Sequence, residues 1–304
     1  MTPRNRERTR YVNRPRPLVA GVDGSPESLA AADWAAREAV RRDVPLRLVH
    51  AWLWQPLDLP VTQDRESAAR RAQEVLKAAE TDLADRFPQL ELTADVLRDA
   101  TVPALLRAGR EAGMLVIGSR GHGAVLGFLL GSYGRQVIAA AECPVVSVRE
   151  AKGAPAPGPG EGEVVVGQQG GVAESGDVLR FAFEAAAARH TTLRAVRAWS
   201  LPPVYAYSPG SLWLADRFGG LEPYEKAALE QALEPWRQKY PEVEVVEHVE
   251  MGSGAEVLLS AASRAELLVV GRQVRQSPVG PRTGSVAHAA LHHARCPVAV
   301  VPHV

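Results

Sequence analysis

Short, wholly apolar runs alternate with longer amphipathic segments along the chain, the pattern of strands buried on both faces and helices buried on one. The first run, residues 18–22, empties into Asp23-Gly24-Ser25-Pro26, a turn leading into a helix start. Over residues 27–42, Leu29, Ala32, Ala36, Ala39 and Val40 recur at helical spacing, with Arg37 and Glu38 facing outward. Strands are then expected over residues 46–51, 92–97, 114–117 and 145–148, and helices over 67–87, 103–112 and 131–141. The second half repeats the order, with strands expected over 164–166, 193–198, 243–249, 267–270 and 298–301. This alternation predicts an α/β protein: two tandem domains, each a five-stranded parallel open sheet with helices on both faces, Rossmann-like in class.

The repeat is explicit at its glycines. GSRGHGAVLGFLLGS, residues 118–132, recurs as GRQVRQSPVGPRTGS, residues 271–285, and in both copies an apolar strand precedes and a Cys-Pro-Val strand follows. An aperiodic stretch rich in Pro, Gly and Ala lies between the copies and reads as a linker. The chain thus divides into a basic tail (1–16), a first domain (17–150), a linker (151–162) and a second domain (163–304). The second domain carries an extra aromatic and Pro-bearing segment, residues 202–220, expected to be a packed surface loop.

Composition changes this picture little. The 304 residues suit two domains, and 46% hydrophobic content without a long apolar run predicts a soluble protein with no membrane span. Net charge is formally zero; four of the 35 basic residues are lysine and 31 are arginine. Six arginines fall in the N-terminal tail, read as a solvated segment rather than a nucleic-acid contact, and no secretory signal is seen, so a cytoplasmic location is expected. Cys143 and Cys296 share one repeat position and are expected to pack as inert apolar side chains.

In open parallel sheets, ligands bind beyond the carboxyl ends of strands, where the strand order reverses. Asp23 ends the first strand and Gly118 the fourth, so the two face one crevice if those strands are neighbours. Gly118 and Gly121 are expected to permit positive φ and close approach of backbone to a phosphate. Ser132, at the start of the last helix of the unit, offers a hydroxyl and an N–H to an anion. Arg120 and His122 can neutralise phosphate charge or simply be solvated, and Asp23 either contacts ribose, base or a metal-water shell or caps the helix near Pro26. In the second copy Gln169 stands for Asp23 and Val274 for Gly121. A β-branched residue there would sit at positive φ and fill phosphate space. His288, His292 and His293 bring no third metal ligand, and there is no GxxxxGK[ST] loop. Binding with at most slow hydrolysis is expected, and a nucleotide-independent scaffold remains the alternative.

As an ordered set, VDGS (Val22 to Ser25), LVH (Leu48 to His50), IGSRG (Ile117 to Gly121), Gly131-Ser132 and CPVV (Cys143 to Val146) resemble the universal stress protein family. Both halves are similar to domains of that family, from about Pro17 to Val304. The resemblance implies ATP, with Mg2+, held by the first domain, whose motif is complete. It places Asp23 and Leu46 beside the nucleoside, and Ile117, Gly118, Gly121, Gly131 and Ser132 along ribose and phosphates, with Arg120 inside the loop. Tyr133-Gly134 stand where many members have a second small hydroxyl residue, so one phosphate contact is missing. The resemblance further implies antiparallel pairing of the last strands, joining either the two halves of the chain or two chains into a homodimer. The implied role is an ATP-binding stress-response regulator or signalling module with unknown protein partners; ATP, ADP, AMP and cyclic nucleotides are not separated by these residues.

Overall fold

A computed structural model describes residues 15–52, 65–119, 132–149, 162–200, 221–274 and 283–304. The first half contains β1 (Leu18–Gly21), α1 (Pro26–Arg42), β2 (Leu46–Ala51), α2 (Arg65–Arg86), β3 (Leu92–Leu97), α3 (Thr101–Glu111), β4 (Met114–Ser119), α4 (Ser132–Ala140) and β5 (Val145–Arg149). The second half follows with β6 (Glu163–Gly167), α5 (Val172–Arg189), β7 (Leu193–Trp199), α6 (Glu222–Lys239), β8 (Val245–Met251), α7 (Gly254–Ala261), β9 (Ala265–Gln273), α8 (Ser285–His293) and β10 (Val298–His303).

All ten described strands lie in one sheet, ordered β3-β2-β1-β4-β5-β10-β9-β6-β7-β8. Neighbours are parallel within each half, and the halves meet antiparallel at β5 and β10, with Val298 opposite Ser147, Ala299 opposite Val146 and Val300 opposite Val145. The last strands therefore join the two halves of the chain, and the junction leaves neither β5 nor β10 as an open edge. The remaining edges, β3 and β8, break their apolar pattern with Asp95, Glu247, His248 and Glu250, which makes them poor templates for further pairing.

The interior is divided by the sheet rather than by the domains. One apolar cluster, built around Trp34, Leu46, Leu48, Phe183 and Leu233, runs from α1 and α2 to α5 and α6. A second, on the opposite face, runs from Leu105, Ile117 and Ile138 to Leu258, Leu268 and Leu291. Each is continuous across the junction, so the two halves share their cores. An alanine stripe on α1 (Ala31, Ala32, Ala35, Ala36, Ala39), at most 1% exposed, brings that helix close to the sheet. On α5 the stripe includes Phe183, whose ring stacks with Trp236 of α6 at 6.3 Å and with Tyr240, just past its end, at 5.9 Å; full burial of such a ring stabilises by roughly 1.5–3 kcal/mol.

Cys143 and Cys296 are buried and unbridged, and burial pushes their thiols up to about 11 and about 12. Neither is a reactive thiolate at neutral pH. No helix among the described residues is long and apolar enough to cross a membrane.

Several strands outrun their apolar core. β4 continues to Ser119 and β9 spans Ala265–Gln273, because a neighbouring strand's hydrogen-bond ladder extends through polar residues as well. Helix α3 starts at Thr101, ahead of Pro103; a proline in the first turn removes an N–H that no intrahelical carbonyl needs. Glu38, outward by periodicity, is fully buried.

Candidate functional site

The strand order reverses between β1 and β4 in the first half and between β6 and β9 in the second. Crevices therefore open beyond the carboxyl ends of these strands. In the first half the crevice begins at the turn after β1. Gly24 adopts φ +84°, a conformation that costs a side-chain-bearing residue energy. Ser25 caps α1, its hydroxyl accepting from the Ser28 N–H at 3.2 Å.

Asp23 is fastened to this cap without being the cap itself. Its Oδ1 accepts from the Ser25 N–H at 2.9 Å and from the Ser25 hydroxyl at 2.5 Å, while the Ser28 hydroxyl accepts from the Asp23 N–H at 3.2 Å. Desolvation near the packed strand ends raises the carboxyl pKa, but hydrogen bonds from Ser25, one from Ser28 and the nearby His50 outweigh it and hold Asp23 below the usual carboxylate range. An ionised carboxylate thus stands exposed at the crevice mouth. Behind it, His50 Nδ1 donates to the Val22 carbonyl at 2.7 Å, which fixes the tautomer.

The other expected site residues divide. Gly118 is the next-to-last residue of β4, but the positive-φ glycines among the described residues are Gly24, Gly170 and Gly284. The reason for glycine at 118 is steric: a Cβ would stand 2.5 Å from the Glu27 carbonyl carbon and 2.7 Å from the Ser28 nitrogen. Gly118 lets β4 pass under the first turn of α1. Ile117 is buried, packing with Leu105 over Gly21, so only its main chain can face the crevice. Ser132 opens α4 and is exposed; Tyr133 follows it, 61% exposed. Arg120, Gly121 and Gly131, with His122, lie outside the described residues.

Leu46 is a correction. It is fully buried at the start of β2, paired with Leu18 and Leu92, roughly 16 Å of strand away from the carboxyl end. A parallel strand presents its last residues to the crevice, and here those are His50 and Ala51, partly exposed. The direction of β2 was the signal that identifies them.

The second half holds an open cleft of about 940 Å3 in the corresponding place. Register makes the two halves comparable: Leu18 pairs with Leu46 and Met114, Val164 with Leu193 and Leu267. Gln169 and Gly170 then match Asp23 and Gly24, Arg197 matches His50, and Gly271 matches Gly118. Gly170 repeats the turn at φ +79°. The side chains differ. Buried Gln168, in the place of Val22, takes a hydrogen bond from Arg197 Nη1 at 2.6 Å and donates to the Gly170 carbonyl at 2.9 Å. Arg197 is held in turn by Glu225 at 2.5 Å. A Cβ on Gly271 would meet the ring of His303 at 2.9 Å, so the glycine here seats a side chain instead of a helix turn. Trp199 Nε1 and His303 Nδ1 are buried without a hydrogen-bond partner among the described residues, and both residues line the cleft.

Val274 does not obstruct it. The positive-φ non-glycine residues among those described are Asp43 and His190. Val274 instead continues the ladder, its N–H donating to the His303 carbonyl at 2.7 Å, and its side chain is 47% exposed. The expected steric block is overturned because β9 runs on past Gly271 and carries Val274 away from the cleft.

On α8, the rings of His288 and His292 lie with centroids 4.3 Å apart, tilted 53° to one another. No group of three or more potential metal ligands occurs among the described residues.

The sequence pattern of the Universal stress protein family matches residues 15–149 and again 163–302. The chain belongs to that family. Universal stress protein Rv2005c of Mycobacterium tuberculosis is 35% identical over 293 residues, covering 93% of this chain and 96% of the relative. A universal stress protein of Mycolicibacterium smegmatis is 32% identical over 295 residues, covering 93% and 96%. These universal stress proteins match the chain across both halves. A crystal structure of a universal stress protein from Archaeoglobus fulgidus superposes with a TM-score of 0.65, covering 94% of this chain and 98% of that one at 16% identity, a likeness of fold.

Proposed function

We propose that this universal stress protein is a nucleotide-binding stress-response regulator working in the cytoplasm, with ATP and Mg2+ held in the β1/β4 crevice. The observation that carries the reading is Asp23: its carboxylate is held ionised, its Oδ1 is occupied by Ser25, and it stands at the strand-order reversal. Oδ1, held by Ser25, orients the side chain. Asp23 would contact the ribose, the base or the hydration shell of Mg2+. Ser132, at the N-terminus of α4, would bind phosphate with the helix dipole, together with Arg120, Gly121 and Gly131 of the loop and the main chain at Ile117 and Gly118. Tyr133, beside Ser132, borders that phosphate position. The activity proposed is binding, with nucleotide occupancy as the signal, and not turnover.

Nucleotide released from the purified protein, identified by chromatography and counted per chain, tests this. About one mole of ATP per chain is expected for a single site of this kind, and Asp23→Asn should weaken titrated ATP roughly tenfold or more, the cost of one charge-assisted hydrogen bond. No nucleotide bound or titratable would replace the reading with a nucleotide-independent scaffold. The open cleft of about 940 Å3 in the second half favours a second reading, in which both halves bind; two moles per chain would establish it.

A further inference from the structure

The junction between the halves holds buried charges that the nucleotide reading does not use. Glu38 of α1, 0% exposed, receives the guanidinium fork of Arg189 from α5, 1% exposed, at 2.6 and 3.2 Å. Arg42 donates to the same carboxylate at 2.6 Å. A second ion pair crosses the junction from Arg41 to Glu266 at 3.0 Å, and Glu266 lies 3.4 Å from Arg189 Nε. The arginines also stack crosswise, Arg42 over Phe181 of α5 and Arg189 over Trp34 of α1, at 5.4 and 5.8 Å. Burial pushes the Glu38 carboxyl up, but Arg189 and Arg42 together outweigh it and hold Glu38 below the ordinary carboxylate range.

The halves are related by a pseudo-two-fold axis here, and the network breaks that symmetry. Both helices end in a left-handed cap, Asp43 and His190, each at φ 52°, so Arg42 matches Arg189. One turn back, Glu38 then matches Ala185, and Arg41 matches Ala188. Register places Gly113 opposite in role to Glu266. The first half therefore supplies one acid at the axis where the second has alanine, and the second supplies an acid at the base of β9 where the first has glycine. A pairing of two second halves would set the Arg189 forks against alanines. A pairing of two first halves would put a second Arg42 in the place of Arg189 but leave each Arg41 facing glycine in the place of Glu266, four arginines against two acids instead of three against two.

Buried ion pairs contribute little net stability against an apolar packing, yet breaking one by removing a partner is costly. Arg42 Nη2 and Glu266 Oε2 are moreover buried without a hydrogen-bond partner among the described residues, so the cluster is not optimised for stability. Its distinctive property is choice of partner. We propose that Glu38, with Arg42, Arg189, Arg41 and Glu266, forms a heterotypic lock that commits the first half to the second across β5 and β10 and rejects a copy of itself. The surface fits one partner, the other half of this chain.

Hydrogen exchange of the full chain tests the lock, with the amides of β5 and β10 as reporters and those of β2 and β3 as controls. Glu38→Gln and Arg189→Met should each accelerate exchange at β5 and β10 on the order of 100-fold, the cost of an uncompensated buried charge, while β2 and β3 stay unchanged. Moving the acid across the axis, Glu38→Ala with Ala185→Glu, should restore protection to within about tenfold, a residual set by imperfect repacking. Unchanged exchange at β5 and β10, equal acceleration at β2 and β3, or failure of the transferred acid to restore protection would each overturn the proposal.

Discussion

The crevices after β1 and β6 share a backbone and differ in what the side chains do with it. Gly24 and Gly170 make the same turn at φ +84° and +79°. Above that turn the first half places an exposed carboxylate, Asp23, tied to a serine cap. The second half places exposed Gln169 over a buried Gln168–Arg197–Glu225 chain. One turn thus carries an outward charge in the first case and an inward polar network in the second. A duplicated unit can keep its main chain while its copies diverge in chemistry, because the turn depends on one glycine and the chemistry depends on neighbours that vary freely.

The glycines matched by register should break the comparison most strongly. Gly118→Ala would drive a Cβ into the Glu27 backbone at 2.5 Å, which cannot yield without moving α1. A loss of about 3 kcal/mol is expected, at the upper end of overpacking costs. Gly271→Ala meets the ring of His303 at 2.9 Å, and a side chain can turn aside where a backbone cannot, so about 1 kcal/mol or less is expected. Thermal or denaturant unfolding of the two variants measures both; equal losses would mean that the two glycines do the same job.

Arg197→Met should come next, at about 1–2 kcal/mol, because it strips Gln168 and Glu225 of their shared donor. The matching change in the first half, His50→Met, removes only the bond to the Val22 carbonyl and should cost about 1 kcal/mol or less. Denaturant midpoints at constant slope separate the two.

The smallest effect is a pH dependence confined to the second half. Burial, then His288 and His293 on the same helix, Arg149 of β5 and Arg135 of α4, hold His292 below its ordinary value of 6.5. The unfolded chain therefore takes up this proton first. Stability is unaffected well above 6.5 and is lost as the pH falls through that value toward the lower folded one. By the matching helix starts at Ser132 and Ser285, the first half has Ala139 in this place. His292→Asn should flatten the stability profile just below pH 6.5, and Ala139→Ser should leave it unchanged.

Much of this was legible along the chain. β2 and β3 fall where they are expected, at Leu46–Ala51 and Leu92–Leu97, β2 on its buried Leu46, Leu48 and Val49 and β3 on the alternation of Leu92, Ala94 and Val96 with exposed Thr93 and Asp95. The place of Asp23, between the first strand and the first helix, was legible too. Leu46 was misplaced, although strand direction alone points to Ala51. Gln168, Arg197, Trp199 and His303 were missed, because a cleft wall assembled from three strands has no local pattern.

The sequence by itself determined the alternation of strands and helices, the duplication, and the two glycine turns, because each rests on periodicity or on a local backbone requirement. Tertiary structure decided the rest. Glu38 reads as a solvated helix position and is buried only because the other half of the chain lies over it. Gly118 reads as a phosphate-loop glycine and is demanded by the backbone of α1. Val274 reads as an obstruction and is carried aside by a strand whose length its neighbour sets. In each case the deciding contact comes from residues far away in sequence, and a side chain's surroundings are not written in its own segment.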